Sequence, residues 1–202
     1  MPEVNTAAPQ THRQRQATAT RQLIVDRAAE LFLEHGYAST TMDAIATQAG
    51  VAVSTVYNAF TNKRGILKAI RETWHQESGQ RELFRQAGTE ARLARRLELA
   101  AHATRRQWET SARMMTVYTA AAAADPEAAA ELAEALGGRR TNLGRTLRAW
   151  ATEFGQDPER AAAIFLATTR AEVYLELVEE WRWSPQRYED WLAETLKVQL
   201  AG

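Results

Sequence analysis

Residues 42–61, MDAIATQAGVAVSTVYNAFT, have the residue types and spacing of two short helices that cross at a tight turn. Ile45, Val51 and Val56 fall where a buried face needs apolar side chains, and Ala46 is small enough for a helix crossing. Gly50 can adopt the positive φ that a short interhelical turn needs. Such a pair can recognise DNA, because its second helix fits the major groove. The same spacing also fits a helical hairpin on the surface of a bundle, so both interpretations stay open.

The charges around this segment favour the DNA interpretation. The chain has a formal net charge of +0, so any electrostatic signal must be local. No carboxylate lies between Asp43 and Glu72. Four basic residues fall in that interval: Lys63, Arg64, Lys68 and Arg71. A surface without acids does not repel phosphate, although basic residues can also form an ordinary solvated face.

Other chemistries find little support in the residue types. The chain has no cysteine, which excludes disulfides, thiolate metal sites and a cysteine nucleophile. Its four histidines form no His-x-x-x-His pair, and Glu98 with His102 would supply only two metal ligands. Neither a phosphate loop nor a dinucleotide glycine motif is present. We therefore expect no catalytic residue, metal or cofactor. A bundle enzyme and a helical adaptor without DNA binding remain the alternatives.

The elements that position these residues are predicted to be helices throughout. Alanine, the best helix former, is the commonest residue, and strand patterns are nearly absent. In the second half, Asp125-Pro126, Asp157-Pro158 and Ser184-Pro185 each place a capping oxygen before a proline, which is typical of a helix start. These starts predict helices over 126–153, 158–180 and 185–200. The expected fold is all-α with about nine helices.

In the first half, the predicted helices follow caps and glycines. Gly36 ends the first helix, and Thr40 caps the second with Asp43 in the reciprocal position. The remaining predicted helices run from about Ala52–Ser54 to Phe60, from Lys63 onward, near 89–110 and over 111–124.

The amino-terminal pattern resembles the DNA-binding domain of TetR-family transcriptional regulators. The resemblance covers roughly fifty residues, and in the rest of the chain it is one of length and helical character only. It is carried by Arg21, Ile24, Ala28-Ala29-x-Leu31-Phe32, Gly36-Tyr37, Thr40-Thr41-Met42, Ile45-Ala46, Ala49-Gly50-Val51, Val56-Tyr57-Asn58-x-Phe60, Asn62-Lys63 and Ile66-Leu67.

The resemblance implies a homodimer that binds a palindromic double-stranded DNA operator, usually as a repressor released by a small molecule. It implies three segments. Residues 1–19 would form a flexible arm, residues 20–66 the DNA-binding domain, and residues 67–202 a ligand-binding and dimerisation domain. The arm segment Thr11–Arg15 could enter the minor groove as a basic arm or serve as a disordered tail.

Carried over by position, the major-groove residues are Val53, Ser54, Thr55, Tyr57 and Asn58. Thr40 or Thr41, Tyr57 and Lys63 are the expected phosphate contacts. An amide such as that of Asn58 can pair with adenine, and Val53 can touch a thymine methyl group. The family often has serine at position 52, whereas Ala52 has no capping hydroxyl here. Ser54 or a water is expected to cap the third helix instead.

Aromatic and soft side chains mark a candidate cavity in the carboxy-terminal part. The predicted ligand contacts are Trp108, Met114, Met115, Tyr118, Trp150, Phe154 and Tyr174. The same residues at helical spacing also fit an ordinary core. With no concentrated charge of one sign among them, the expected effector is mostly apolar and of unknown identity.

Two apolar stripes near the carboxy terminus are wider than packing on one neighbour requires, which favours a four-helix dimer interface. The predicted interface residues are Phe165, Leu175, Val178, Tyr188, Trp191, Leu192, Thr195 and Leu196. The first twenty residues contain no signal-peptide core, and no apolar run approaches the ~20 residues of a membrane span. We therefore expect a cytoplasmic protein without a membrane partner.

Overall fold

The computed structural model describes residues 11–201, and over this range the chain is all-α as predicted. A π-helical turn, Glu176–Glu180, follows the ninth helix. The ten α-helices are α1 His12–His35, α2 Met42–Ala49, α3 Val53–Phe60, α4 Lys63–Glu77, α5 Gln80–Ala87, α6 Leu93–Ala124, α7 Pro126–Glu153, α8 Pro158–Thr168, α9 Ala171–Leu175 and α10 Pro185–Leu200.

The three proline-marked helix starts are confirmed. Asp125 accepts hydrogen bonds from the first backbone N–H groups of α7, and Asp157 does the same for α8. Ser184 accepts from the Arg187 N–H at the start of α10. In each case the proline lies in the first turn, where a backbone N–H would have no acceptor within the helix, so its lack of an N–H costs no hydrogen bond. The predicted bounds of α7 and α10 are correct.

The prediction of a single helix over 158–180 is wrong, because α8 ends at Thr168 and a new helix begins at Ala171. Arg170 is extended, with φ −75° and ψ 152°, before α9 begins. The Thr169 carbonyl, which could continue a helix, instead accepts hydrogen bonds from Trp108 Nε1 at 2.9 Å and Arg139 Nη2 at 2.8 Å. Tertiary partners thus replace the helical hydrogen bond at this point.

The division predicted at residues 110 and 111 is also wrong, since α6 is one continuous helix of 32 residues. Thr110 and Ser111 donate their hydroxyls back to the Gln107 carbonyl, at 3.1 and 2.6 Å, so these polar residues are satisfied within the helix. The additional helix α5 precedes it.

The turns of the amino-terminal helices follow the predicted glycines. Gly36 has φ +80° after α1, and Gly50 is left-handed, with φ +64°, after α2. Thr41 caps α2, accepting a hydrogen bond from the Ala44 N–H at 3.1 Å. The prediction of Thr40 as this cap is therefore wrong by one residue. Thr40 is buried and donates to the Gly36 carbonyl at 2.9 Å.

The predicted flexible arm is helical where the structure describes it. Helix α1 begins at His12, and Thr11 and Gln14 form a reciprocal capping box. Residues 1–10 of the predicted arm lie outside the described residues. The Thr-x-x-Gln spacing was the sequence signal for this earlier start.

The described residues bury two hydrophobic clusters. One, the body cluster, consists of residues from all six helices α5 through α10 and includes Leu97, Phe165 and Leu192. The other, the head cluster, joins α1 to α4 around Phe32 and Ile45 and also includes residues of α6 and α7. Those contributed by α6 and α7 are Met114, Val117, Tyr118, Ala121 and Ala128. The head core therefore crosses the boundary predicted between residues 66 and 67.

Candidate nucleic-acid interface and ligand cavity

Helix α3 has one buried and one exposed face. Val56 and Phe60 are buried in the head cluster. Ser54, Tyr57 and Asn58 are exposed on the opposite face, with 48% of Tyr57 accessible. Val53 and Thr55, also predicted to contact DNA, are half-buried. The structure therefore presents Ser54, Tyr57 and Asn58 together, with hydroxyl and amide groups that suit base edges and phosphates.

Among residues 11–201, no side chain caps the start of α3. Ala52, which occupies the N-cap position, has no side-chain group that could accept a hydrogen bond from the first turn. Ser54 therefore does not take over the capping role expected from the sequence. The backbone N–H groups of a helix start attract phosphate oxygens, and this end of α3 borders the exposed face.

A shallow groove between α1 and α3 adds residues of α1 to the predicted contacts of α3. Arg13 and Thr20 of α1 line it together with Thr55 and Asn58 of α3. Arg21 fixes the two helices, since its Nη1 donates to the Ala59 carbonyl at 2.6 Å. Its guanidinium also lies 4.0 Å from the centre of the Phe60 ring. Arg13 is thus presented by a helix rather than by an extended arm.

The three predicted phosphate contacts around α2 and α4 occupy different environments. Thr40 is buried and hydrogen-bonded within the head, so it is withdrawn from the surface. Thr41 is exposed at the start of α2. Lys63 donates from Nζ to the Tyr37 carbonyl at 2.7 Å and lies over the Tyr37 ring at 4.5 Å. Burial lowers the pKa of Lys63. Lys63 therefore joins α4 to the loop after α1.

Helix α4 connects the head to the body through specific contacts. Asn62 caps it, accepting from the Gly65 N–H at 2.9 Å. Tyr118 of α6 donates its hydroxyl to the Leu67 carbonyl at 2.5 Å. Arg71 Nη2 donates to Glu131 Oε1 of α7 at 2.9 Å. These two contacts fix the middle of α4 on α6 and α7.

Two cavities in the body share a wall formed by α6 and α7. Their volumes are about 200 and 70 Å³. The shared wall consists of Trp108, Met115, Leu136 and Arg139. Met114 and Tyr118 line the smaller cavity, together with Arg71, Trp74 and His75 of α4. Four of the predicted ligand residues, Trp108, Met114, Met115 and Tyr118, are therefore brought together.

The other three predicted ligand residues do not line these two cavities. Trp150 stacks on Phe84, with ring centres 5.9 Å apart, and Phe154 packs under the Arg96 guanidinium. Both belong to the packing at the far end of α7. Tyr174 packs edge-on against Tyr188 and lines a third cavity of about 140 Å³, which Trp108 and Met114 also line. Sequence periodicity placed these aromatic residues on buried faces without distinguishing which cavity or core each one meets.

Arg139 is the polar residue of the shared wall. Arg139 Nη2 donates to both the carbonyl and the hydroxyl of Thr169, at 2.8 and 2.6 Å. Burial lowers the pKa of Arg139 to about 10, which still leaves it charged at neutral pH. Burial and the nearby arginines, chiefly Arg71, lower the pKa of His75, so its ring is neutral there. The cavity thus has a fixed positive charge beside apolar walls.

Half of the predicted dimer residues are core residues of the chain itself. Phe165, Tyr188, Leu192 and Leu196 are fully buried in the body cluster, so they are covered without a partner. This corrects their assignment to an interface. Apolar periodicity identified their buried face but not the helix that covers it. The remaining predicted residues, Leu175, Val178, Trp191 and Thr195, are half-buried.

The candidate metal ligands Glu98 and His102 are each paired with protein groups. His102 Nδ1 lies 3.0 Å from Glu189 Oε2, and Glu98 accepts a hydrogen bond from Arg95 at 3.0 Å. Within residues 11–201, no group of three His, Asp or Glu side chains is placed to hold a metal ion.

An exposed second helix after a left-handed glycine turn, in an acid-free stretch of sequence, places the chain among helix-turn-helix proteins. Residues 24–70 match the family model described as bacterial regulatory proteins, tetR family. Over 55 residues the chain is 42% identical to the HTH-type transcriptional regulator SrpR of Pseudomonas putida, covering 27% of this chain and 26% of SrpR. The chain therefore matches about a quarter of that relative's length.

Two solved structures are similar over nearly the whole chain. The SmeT–triclosan complex is 27% identical, with a TM-score of 0.70 over 89% of this chain and 90% of SmeT. NalD, the secondary repressor of the MexAB-OprM multidrug efflux pump in Pseudomonas aeruginosa, is 20% identical, with a TM-score of 0.70 over 92% of this chain and 98% of NalD. The likeness to NalD concerns the fold.

The comparisons support a TetR-family regulator, because residues 24–70 match the family model and the fold of SmeT extends over most of the chain. Its curated relatives are named as HTH-type transcriptional regulators rather than as enzymes, in agreement with the prediction of no catalytic activity. In the part of the chain that the structure covers, none of the helices combines the length and apolar character needed to cross a membrane.

Proposed function

We propose that this chain is a transcriptional repressor that binds a palindromic DNA operator as a homodimer and leaves it when a small, mostly apolar effector binds. The observation that carries the proposal is the exposed face of α3. Ser54, Tyr57 and Asn58 lie there side by side, in a stretch of sequence that contains no acid from residue 44 to residue 71.

The proposed base contact is that of Asn58. Its amide is exposed, and an amide can donate to N7 and accept from N6 of adenine in the major groove. Tyr57, Ser54 and Thr41 offer hydroxyls to phosphate oxygens, which position the helix without reading sequence. Lys63 remains a proposed phosphate contact through the ammonium hydrogens that do not bond to the Tyr37 carbonyl.

Asn58→Ala is expected to reduce discrimination at one operator base pair by about 1–3 kcal/mol, or roughly 5- to 150-fold in the affinity ratio. The reason is loss of the paired hydrogen bonds to one base. The measurement is fluorescence anisotropy with DNA from upstream of the gene, using the native site and single-base variants at fixed salt.

Asn142→Ala is the matched control, because it removes an exposed amide from α7, a helix outside the predicted DNA-contacting helices α2 and α3. It should bind all DNA variants like the native chain. If Asn58→Ala kept the full native preference at every base pair, the assignment of α3 as the reading helix would be wrong.

The proposed dimer interface lies along the exposed side of α10. Trp191, Thr195 and Val198 fall on one stripe at helical spacing, and Val198 is 63% exposed. An apolar side chain this exposed at the end of the chain's last helix fits a surface covered by a second copy. A two-fold axis there would present two α3 helices to two half-sites, which is why the operator is proposed to be a palindrome.

Val198→Glu is expected to convert the dimer to a monomer, because two carboxylates would face each other across the two-fold axis without a partner. Light scattering at micromolar concentration should report about 45 kDa for the native chain and 22.6 kDa for the variant. Leu33→Glu, at an exposed apolar position of α1, is the control and should stay dimeric. A native chain that is monomeric would refute this part of the proposal.

The effector part of the proposal depends on α4. Arg71, Trp74 and His75 of this helix line the smaller cavity, and its first residue, Lys63, lies three positions after the end of α3. A ligand that moves these residues of α4 would change the orientation of the DNA-binding helices α1–α3 relative to the body. To move the equilibrium from 1:99 to 99:1, it must prefer the released state by about 5.5 kcal/mol. SmeT was solved in complex with triclosan, which supports a mostly apolar effector.

A further inference from the structure

The shared cavity wall holds a positive charge that is not paired with a carboxylate among residues 11–201. Arg139 forms no ion pair within 4 Å in that range, whereas neighbouring arginines do, such as Arg71 with Glu131 and Arg170 with Glu172. Two further arginines, Arg140 and Arg170, line the larger cavity, where Glu172 supplies the carboxylate. The cavity is therefore electropositive.

The Arg139 guanidinium is also held in one orientation. Nη2 bonds to Thr169 twice, and the group lies 5.9 Å from the centre of the Trp108 ring. Trp108 Nε1 donates to the same Thr169 carbonyl at 2.9 Å. Nε and Nη1 make no hydrogen bond to any described residue, so each can donate to a bound anion. A carboxylate that accepts two parallel N–H groups would pair Nη2 with either Nη1 or Nε, and would therefore share Nη2 with Thr169.

We propose that the effector is an organic acid whose carboxylate binds Arg139 and whose apolar body lies against Trp108, Met115 and Leu136. This inference rests on the proposed effector control and names the chemical class of that effector. The cavities of about 200 and 70 Å³ suit a body of one or two rings. The sequence pattern does not indicate the acid, because Arg139 lies more than twenty residues from each of Trp108 and Met115.

A carboxylate bound to Arg139 would also affect how α8 and α9 are held together. Thr169, the residue that Arg139 and Trp108 hold, lies at the break between α8 and α9. An acid that draws the guanidinium toward itself competes with the Thr169 carbonyl and hydroxyl for the same group. Binding would therefore weaken the hydrogen bonds from Arg139 to Thr169 that hold the segment between α8 and α9.

The test compares an acid with its uncharged amide of the same shape. The probes are 1-naphthylacetic acid and 1-naphthylacetamide, measured by calorimetry and tryptophan fluorescence at pH 7.5, where the acid is ionised. The native chain should bind the acid about 10- to 100-fold more tightly, as expected for a hydrogen bond between charged groups. Arg139→Gln should remove this preference by weakening the acid alone.

Two further variants keep the test decisive. Arg145→Gln removes the same charge from an exposed position of the same helix and should keep the native preference. Arg139→Lys preserves the charge without the planar fork, so it should keep part of the preference even if Arg139→Gln folds poorly. Thermal melting of each variant reports whether it is folded.

Equal affinity for acid and amide in the native chain would overturn the inference, and so would no binding of the acid at about 1 mM, a concentration that detects even weak complexes. Persistence of the preference in folded Arg139→Gln would also overturn it. Operator binding without any compound is measured separately. It can succeed while the acid preference fails, so failure of the inference and failure of the proposed function are distinguishable.

Discussion

The Gly65→Ala variant is expected to be less stable than the native chain by about 3 kcal/mol, the upper end of the usual range for overpacking. A Cβ built on Gly65 would lie 2.2 Å from the Phe60 carbonyl oxygen. That atom is backbone, so no flexible side chain can move aside. Relief requires α3 and α4 to separate at the turn where Asn62 caps α4. Urea unfolding followed by circular dichroism measures the loss.

Gly137→Ala is the matched control for this experiment. Gly137 is an exposed residue inside α7, and a Cβ there would meet nothing within 4 Å. Alanine at that position should stabilise the helix by about 0.5–1 kcal/mol. The two glycine substitutions therefore predict opposite signs. A Gly65→Ala variant as stable as the native chain would show that the α3–α4 turn is not packed as described.

Glu131→Ala is expected to destabilise the chain by about 2 kcal/mol, because it leaves the Arg71 guanidinium without its carboxylate. Glu131 is 8% exposed and Arg71 26%, so water can recover part of the cost of a fully buried pair. Arg71 Nε is already buried without a hydrogen-bond partner among the described residues. The same urea unfolding measurement applies.

The control for this variant is Glu179→Ala, which breaks the exposed Arg113–Glu179 pair, with side chains 71% and 35% exposed. Its cost should be below about 0.5 kcal/mol. The double variant Arg71→Met with Glu131→Leu should recover most of the stability, since an apolar pair can replace a buried ion pair. If Glu131→Ala cost no more than Glu179→Ala, the pair would not contribute to holding α4 on α7.

Local signals in the sequence predicted much of the head and the starts of the last helices. A proline after a capping residue and a glycine at a positive φ act within a few residues, so they can be recognised without knowing the fold. Pro126 and Gly50 illustrate the two cases. Thr11 and Gln14 carried an equally local signal for the start of α1, which the interpretation as a flexible arm overlooked.

The features that could not be predicted depend on contacts between distant residues. The break at Thr169 arises because Trp108 and Arg139 bind its carbonyl, and neither residue is near it in sequence. Apolar periodicity showed that Phe165 and Leu192 face something apolar, but it could not tell a neighbouring helix from a second subunit. The charge in the cavity could not be predicted either, because Arg139 meets Trp108 and Thr169 only in the folded chain, and its sequence neighbours indicate an ordinary polar position of α7.

The head cluster, which α6 and α7 complete, bears on how the molecule unfolds and how it can be recombined. A fragment ending near residue 70 would keep Ile66 and Ile70 but lose Met114 and Tyr118, which belong to the same buried cluster. In hydrogen-exchange terms, the amides of α4 and of the facing half of α6 should open as one cooperative unit. A chimera that places this head on another regulator's body must therefore bring along residues 114–128, or supply their equivalent.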